Sequence, residues 1–348
     1  MDTEASRTWL VTGGAGFIGS CWGRLALEAG ESVVVLDKLT YASDRSSLPS
    51  DSRVQFFQGD ICDEDLVAEL LERFQPSGIL HFAAESHVDR SIEGPGPFVQ
   101  SNVVGTCTLL DCSLRYWEEL SQNQKDAFRF LHVSTDEVYG SLGPTGKFDE
   151  HCKFEPNSPY SASKAAADHF VRAYHQTFGL PVLSTHCCNN FGPFQNPEKL
   201  IPRMIMQAMR GEHLPVFGDG QNVRDWLYVE DHCRALNAVV KSGVVGETYC
   251  VGAEEEQNNL DLVHMVCELL DELAADLPRR PCAELIEFVP DRLGHDRRYA
   301  IDPGKITSQL GWRPQADFRT ALRKTVQWYL DNQDWVKRME TRAAELKG

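Results

Sequence analysis

Trp9-Leu10-Val11-Thr12-Gly13-Gly14-Ala15-Gly16-Phe17-Ile18-Gly19 is the stretch that decides the fold. Four residues of strand character run straight into glycines spaced both as G-x-x-G-x-x-G (Gly13, Gly16, Gly19) and as G-x-G-x-x-G (Gly14, Gly16, Gly19). Glycine lets the backbone turn sharply and approach a pyrophosphate closely. The helix that follows offers that anion its first amides and the positive end of its dipole. Glycine-rich loops are common, so the motif alone is weak; the strand before it and the helix after it make it a dinucleotide-binding signature.

Outward from there the alternation continues. Val33-Val34-Val35-Leu36 reads as a second strand ending in Asp37, about 20 residues past the glycines, where an acid can accept the adenosine ribose hydroxyls. A carboxylate there repels a 2′-phosphate, which favours NAD over NADP. Val54-Gln55-Phe56-Phe57 is a third strand, running into Gly59-Asp60-Ile61, where Asp60 either touches the adenine or turns the chain. Ile79-Leu80-His81-Phe82 is a fourth, followed by Ala83 and Ala84, small enough for a cofactor to lie against. The pattern predicts an α/β fold: a Rossmann-type doubly wound parallel sheet, with a smaller mixed α/β substrate domain after it. The expected division is 1–187 for the NAD-binding domain, with 222–252 returning to it. Residues 188–221 and 253–315 form the substrate domain, and 316–348 the C-terminal helices.

Chemistry concentrates further on. The apolar run Phe130-Leu131-His132-Val133 leads into Ser134-Thr135-Asp136-Glu137, two acids side by side just past a strand end. In an open parallel sheet that edge binds ligands. Tyr160 and Lys164 are four apart, so they share one helix face. A lysine cation beside a phenol favours the phenolate, a base suited to an alcohol near neutral pH. A base for an alcohol together with an acid pair implies more than simple oxidation. Ser158 is placed to cap that helix, Pro159 suits its first turn, and Gly179 closes it. Glu85 to Ser91, at another strand end, is crowded with polar groups and reads as a substrate wall or a plain surface loop. Pro97 to Trp117 reads as one long helix on which Asn102 and Thr106 face either the cofactor or the packing.

After a strand near Pro181–Cys188 the alternation breaks. Shorter pieces follow: a helix near Lys199–Arg210, a strand near Leu214–Phe217, the turn Gly218-Asp219-Gly220 and a strand leading into the helix of Asp231. An amphipathic helix, Leu260–Leu273, and the basic run Arg292 to Tyr299 come later. Scattered Arg, Lys and Asn in this half suit a diphosphate; a charged surface loop is the plainer account of Arg297. Asp334 to Gly348 reads as a solvated, charged helical end.

Composition bounds the rest. The 348 residues carry 34 basic and 51 acidic side chains, a formal charge of −17, which argues against nucleic acid as a partner. No apolar run is long enough to cross a bilayer, and Met1–Arg7 lacks an apolar signal region, so a cytoplasmic protein is expected. Eleven cysteines without a Cys-x-x-Cys pair read as reduced, mostly buried thiols, and no metal site is called for.

From about Trp9 to Trp328 the residues resemble the extended short-chain dehydrogenase/reductase superfamily and, within it, the dTDP-glucose 4,6-dehydratases. The pieces that carry the resemblance are TGGAGFIGS, DKLTYA, FAAESHVDRSI, STDEVYG, PYSASKAAADH, NNFGPFQNPEKLIP, VRDWLYVEDH and GHDRRYAID. Glycine loop and Y-x-x-x-K mark only the superfamily; Thr135-Asp136-Glu137 marks the dehydratases, and the related 4-epimerases usually lack that acid pair. The resemblance implies that Tyr160, helped by Lys164 and Thr135, takes the 4-hydroxyl proton while carbon 4 is oxidised. Glu137 then takes the carbon 5 proton and Asp136 protonates the departing 6-hydroxyl. It also implies bound NAD on Gly13, Gly16, Phe17, Ile18, Gly19, Asp37, Lys38, Thr40, Asp60, Ile61, Ala83, Ala84, Ser86, Asn102, Ser134, Tyr160, Lys164 and Asn189. The implied nucleotide-sugar site is Ser86, His87, Thr135, Asn190, Lys199, Leu200, Pro215, Phe217, Arg224, Asn259, Arg292, His295 and Tyr299. A homodimer would pair the helices near Pro97–Trp117 and Tyr160–Phe178.

Several positions depart from the commoner pattern. Phe191 and Phe217 replace tyrosine, Leu293 replaces proline, the Gly140–Tyr160 loop is short, and His186-Cys187-Cys188 is unusual. They fall in or near the substrate half and leave the nucleotide base open. A UDP-sugar 4,6-dehydratase, a 4-epimerase and a non-catalytic NAD-binding member are the alternative readings.

Overall fold

The computed structural model describes residues 7–345. The start, Met1–Arg7, expected to lack a signal region, falls largely on residues 1–6, and these and residues 346–348 lie outside the described residues. Among the described residues there are twelve strands: β1 (Thr8–Thr12), β2 (Ser32–Asp37), β3 (Val54–Gln58), β4 (Gly78–His81), β5 (Arg129–Thr135), β6 (Val182–Cys187), β7 (Asn189–Phe191), β8 (Leu214–Phe217), β9 (Val223–Tyr228), β10 (Thr248–Val251), β11 (Glu256–Asn258) and β12 (Ile286–Val289). The α-helices are α1 (Phe17–Glu28), α2 (Glu64–Phe74), α3 (Val88–Glu93), α4 (Gly96–Phe98), α5 (Thr106–Glu119), α6 (Gln122–Ala127), α7 (Pro159–Phe178), α8 (Leu200–Arg210), α9 (Val229–Ser242), α10 (Asn259–Leu273), α11 (Gly304–Leu310), α12 (Phe318–Asp331) and α13 (Gln333–Glu345).

Seven strands form one parallel sheet in the order β10-β6-β5-β4-β1-β2-β3. Parallel strands joined by helical crossovers are covered on both faces, and so β2 and β6 are buried along nearly their whole length. One core packs Trp9, Val11, Val33, Leu131 and Leu183 under α1 and α9. The other packs Leu10, Val34, Ile79, Phe130 and Val182 under α2, α5 and α7. The chain reverses direction across the sheet between β1 and β4, and the glycine loop sits at that switch point, where open α/β sheets bind ligands.

The remaining strands make a three-stranded sheet, β11-β9-β7, and a parallel pair, β12-β8. Their core is separate: Phe191, Met204, Trp226, Leu262, Tyr329 and Trp335. Segment 222–252 divides between the two parts, since β9 lies in the small sheet and β10 at the edge of the large one.

Two elements differ from the sequence reading. Pro97–Trp117 is not one regular helix. It runs as α4, a π-helical stretch over Val99–Gly105, and then α5. The π stretch carries Asn102, and such insertions often accompany functional sites. The C-terminal α13 is not a solvated end. Trp335, Val336 and Met339 are buried, Trp335 Nε1 meets Ser47 Oγ at 3.3 Å, and Arg342 donates to the Leu39 carbonyl at 2.6 Å. Three apolar residues on one face suffice to dock a helix that is otherwise charged.

Candidate active site

The loop after β1 is fixed by close packing. Gly13 has φ +68°, and a Cβ there would stand 2.6 Å from the Ala83 amide nitrogen. A Cβ on Gly19 would stand 2.6 Å from the Gly13 carbonyl oxygen. Gly16 then starts α1 with no side-chain cap and no acid in the first turn, which leaves the first amides available to an anion. At the end of β2, Asp37 accepts from Ala15 N (3.0 Å), Leu39 N (2.8 Å) and Ser43 Oγ (2.8 Å). Burial raises its pKa, and these donors oppose the rise. A carboxylate has room for about four donors, so one site remains for a ribose hydroxyl. Lys38 pairs with Asp60 at 2.6 Å on the rim.

These residues wall a cleft of about 400 Å³ together with Phe17, Ile18, Thr40, Ile61, Ala83, Ala84 and Ser86. The same cleft continues past Ser134, Thr135, Asp136, Glu137, Tyr160 and Lys164 to Asn189, Asn190 and Lys199. Its shape and donors suit a dinucleotide at one end and a polar substrate at the other. Asn102 is the exception. It is buried outside the cleft wall, where it brackets Glu85 through N (2.8 Å) and O (3.0 Å) and reaches Ser163 Oγ at 2.8 Å. It holds the β4 loop against α7 and does not line the cleft. Thr106 likewise bonds His81 and the Asn102 carbonyl.

The acid pair opens a short 3₁₀ turn at the end of β5. Thr135 Oγ1 accepts from Glu137 N at 3.2 Å and donates to Asp136 Oδ1 at 3.4 Å. Asp136 is buried and its Oδ2 has no partner. Burial, then the charge of Glu137, push its pKa well up. Burial also raises Glu137, but Arg292, Arg224 and Lys199 pull it back down. Two neighbouring carboxyls thus meet different electrostatics.

Tyr160 and Lys164 project from α7, whose start is fixed by Ser158 Oγ accepting from Ser161 N at 3.0 Å and whose end turns at Gly179, φ +75°. The expectation that Lys164 lowers the Tyr160 pKa is not met by the protein's own groups. Burial and then Glu137 raise the phenol well up, while Lys164 donates to the Val133 carbonyl at 2.9 Å and lies 3.5 Å from His132 Nε2. Burial also lowers the Lys164 pKa.

Of the other predicted substrate residues, Arg224, Arg292, Lys199 and Tyr299 are near enough to Glu137 to act on its charge, and of these Lys199 alone lines the cleft. Arg224 is buried, stacks at 4.2 Å on the Tyr299 ring, and donates to the Val223 and Asp296 carbonyls. Tyr299 donates to Asp296 at 2.6 Å. Arg292 reaches Asp89 at 3.7 Å, and His295 holds Asp291 at 2.6 Å with its ring edge-on to Phe217. Lys199 donates to the Ser86 carbonyl at 2.9 Å, and His87 lies 3.4 Å from Glu198. Pro215 and Phe217 lie on β8, Leu200 starts α8, and Asn259 starts α10, its amide bonded to the Asn222 carbonyl. Phe191 is wholly buried among Trp226, Tyr228 and Phe318, so that departure concerns packing. Sequence reasoning missed Glu198, Cys187 and Cys188 in the cleft wall, and Asp296 beneath Arg224. No spacing rule pointed to them.

A glycine turn at the switch point of a parallel sheet, with a tyrosine–lysine pair and an acid pair facing one cleft, defines an extended short-chain dehydrogenase/reductase. Comparison with known proteins narrows this. A family model described as GDP-mannose 4,6 dehydratase matches residues 10–325. The dTDP-glucose 4,6-dehydratase of Xanthomonas campestris pv. campestris (strain B100) is 56% identical over 333 residues, 95% of each chain. That of Escherichia coli is 50% identical over 345 residues, again 95% of each. The crystal structure of the Streptomyces venezuelae dTDP-glucose 4,6-dehydratase, with NAD and TYD bound, is similar at a TM-score of 0.87 and 45% identity, covering 95% of this chain and 99% of that one. The chain belongs to the dTDP-glucose 4,6-dehydratase family.

Proposed function

We propose that this protein is an NAD-dependent dTDP-glucose 4,6-dehydratase, a lyase that forms dTDP-4-keto-6-deoxyglucose. The observation that carries the reading is the unequal acid pair: buried Asp136, its Oδ2 unpartnered, beside Glu137, on which the charges of Arg292, Arg224 and Lys199 act. Elimination of water needs one proton donor and one acceptor at once, and two carboxyls with different proton affinities supply both. When bound, NAD supplies the hydride acceptor for carbon 4 and the hydride donor for carbon 6. Tyr160 takes the 4-hydroxyl proton, with Lys164 and Thr135 beside it. The resulting 4-ketone acidifies the proton on carbon 5. Glu137 removes it, and Asp136 protonates the 6-hydroxyl, which leaves as water. In this reading Arg224, Arg292 and Lys199 meet the diphosphate. A 4-epimerase would give a buried Asp136 of raised proton affinity nothing to do.

The enzyme works as a homodimer in this reading. Val99 (51% exposed) and Val104 (41%) on the π stretch, with Phe170 (41%) and Phe178 (50%) on α7, are exposed apolar side chains on the elements that a second copy would cover. All eleven cysteines are free, which suits the reducing cytoplasm, and no helix among the described residues is long and apolar enough to cross a membrane.

The test is incubation with NAD⁺ and, in parallel, dTDP-, UDP-, GDP- and CDP-glucose, with products read by mass spectrometry. Loss of one water from dTDP-glucose, with a 4-keto product, is expected. A 4-epimer of unchanged mass would overturn the reading, and preference for UDP-glucose would move it to another nucleotide.

A further inference from the structure

Behind the tyrosine–lysine pair lies a buried polar cluster that the reaction above does not use. Asp168 follows Lys164 by one helical turn on α7, on the same face. Its carboxylate accepts from Ser134 Oγ at 2.8 Å, and its oxygens lie 3.3 Å from His132 Nε2 and 3.4 Å from His186 Nε2. Ser134 and His132 come from β5 and His186 from β6, so one carboxylate gathers groups from two strands. His186 Nδ1 in turn meets the Tyr139 hydroxyl at 2.5 Å, and that hydroxyl lies 3.5 Å from Cys250 Sγ. All these residues are less than 10% exposed. Lys164 Nζ stands 3.5 Å from His132 Nε2, at the cleft end of the same cluster.

A lysine this deep cannot stay charged without an opposing charge. The groups that face Lys164 are Asp168 and Tyr160 from its own helix, His132 and the Val133 carbonyl from β5, Cys187 from β6, and His81 from β4 behind His132. Asp168 is the one carboxylate acting on it, through charge, against burial. Burial lowers the His132 pKa to about 4, so that ring is neutral near pH 7 and gives Lys164 no competing charge. The imidazoles of His186 and His132 more than offset burial at Asp168 and hold it well below the usual carboxylate range.

We propose that Asp168 is a positioning residue for catalysis: the buried counter-ion that holds Lys164 as a cation beside Tyr160, itself held by Ser134 Oγ and flanked by His132 and His186. It touches no substrate. This inference rests on the reading of Tyr160 and Lys164 as the redox base pair.

Asp168→Asn keeps the shape and removes the charge. Two measurements decide the matter. The pH profile of kcat should lose its alkaline limb earlier, because removing an opposite charge near a buried amine favours its neutral form. Competitive labelling of Lys164 by acetic anhydride, read by peptide mass spectrometry across pH, needs no turnover. It should show Lys164 reacting as a free amine at correspondingly lower pH in the variant than in the wild type. Asp168→Glu should restore part of both. Should Asp168→Asn fold with an unmoved alkaline limb and an unmoved Lys164 labelling curve, the proposal is wrong and Asp168 only holds the strands together. A wild type that dehydrates no nucleotide sugar would sink the functional reading, while the labelling curves would still judge Asp168. Should Asp168→Asn not fold, His132→Gln, which loosens the carboxylate without deleting it, should shift both curves in the same direction by a smaller amount, and unmoved curves there would overturn the proposal.

Discussion

Asp136→Asn separates the stability of the site from its chemistry. Asp136 is 2% exposed with Oδ2 unpartnered, and burial followed by the Glu137 charge raises its pKa well up. In the unfolded chain the same carboxyl ionises near pH ~3.9. Below that pH both states are protonated, so nothing is lost. Above it the unfolded chain ionises while the folded carboxyl stays neutral, and stability falls by about 1.4 kcal/mol per pH unit until the folded pKa is reached. Asparagine does not ionise and escapes this slope. Amide and protonated acid are close in shape, and each leaves a polar atom unpaired here, so the desolvation costs cancel to first order. The variant should therefore match the wild type at pH 4 and gain on it progressively as the pH rises toward 7, a gain of the kind seen when a strained active-site group is removed. Its turnover should fall by about 10²–10⁴-fold, the usual worth of a positioned proton donor. Oxidation at carbon 4 survives, so reduced nicotinamide should accumulate. Urea titrations at pH 4, 5, 6 and 7 measure the first effect, and stopped-flow absorbance of the reduced nicotinamide measures the second. A stability gap that does not widen with pH, or turnover lost with no reduced nicotinamide, would refute the assignment of Asp136 as the protonated partner.

Glu137→Gln should slow exchange of the carbon 5 proton with solvent deuterium far more than hydride transfer from carbon 4; exchange at the wild-type rate would exclude Glu137 as that base. Trp335→Ala empties a site walled by Phe194 and Trp328, at ring distances of 5.6 and 5.2 Å, and should cost about 3–5 kcal/mol. Because α13 also ties down Leu39 and Asp44 beside Asp37, NAD affinity should weaken with it. Calorimetric titration that finds NAD affinity unchanged in a destabilised variant would dismiss that link.

What could be read from the sequence was what depends on local pattern. Val33-Val34-Val35-Leu36 announces a strand buried on both faces because a parallel sheet permits no polar side. The glycine run announces its turn because only glycine fits against Ala83. The acid pair and the Tyr160–Lys164 face follow from period alone. What could not be read depends on who arrives from elsewhere in the chain. Spacing puts Asn102 on one side of its helix but cannot say whether that side meets a ligand or the Glu85 backbone. Three apolar residues in the charged α13 give too faint a period to distinguish a docked helix from a free one. Asp168, by contrast, was within reach: it continues the Tyr160, Lys164 row at the next turn, but nothing local reveals the two histidines waiting on β5 and β6.

The two-part build has a physical purpose at Glu137. The sheet alone brings together Asp136, Glu137 and Tyr160, and burial raises the proton affinity of all three. Left so, none would be a base. Arg224 comes from β9 of the small sheet, Arg292 from the loop after β12, and Lys199 from the start of α8. All three favour the ionised form of Glu137, whereas Arg224 is the one of them that acts on Asp136. The cations suited to a diphosphate therefore also act unequally on the two acids, opposing the rise at Glu137 through three side chains and at Asp136 through Arg224. Substrate phosphate would draw on the same charges. Binding and acid–base order are thus coupled through one set of side chains, and this favours a diphosphate-bearing sugar over a free hexose.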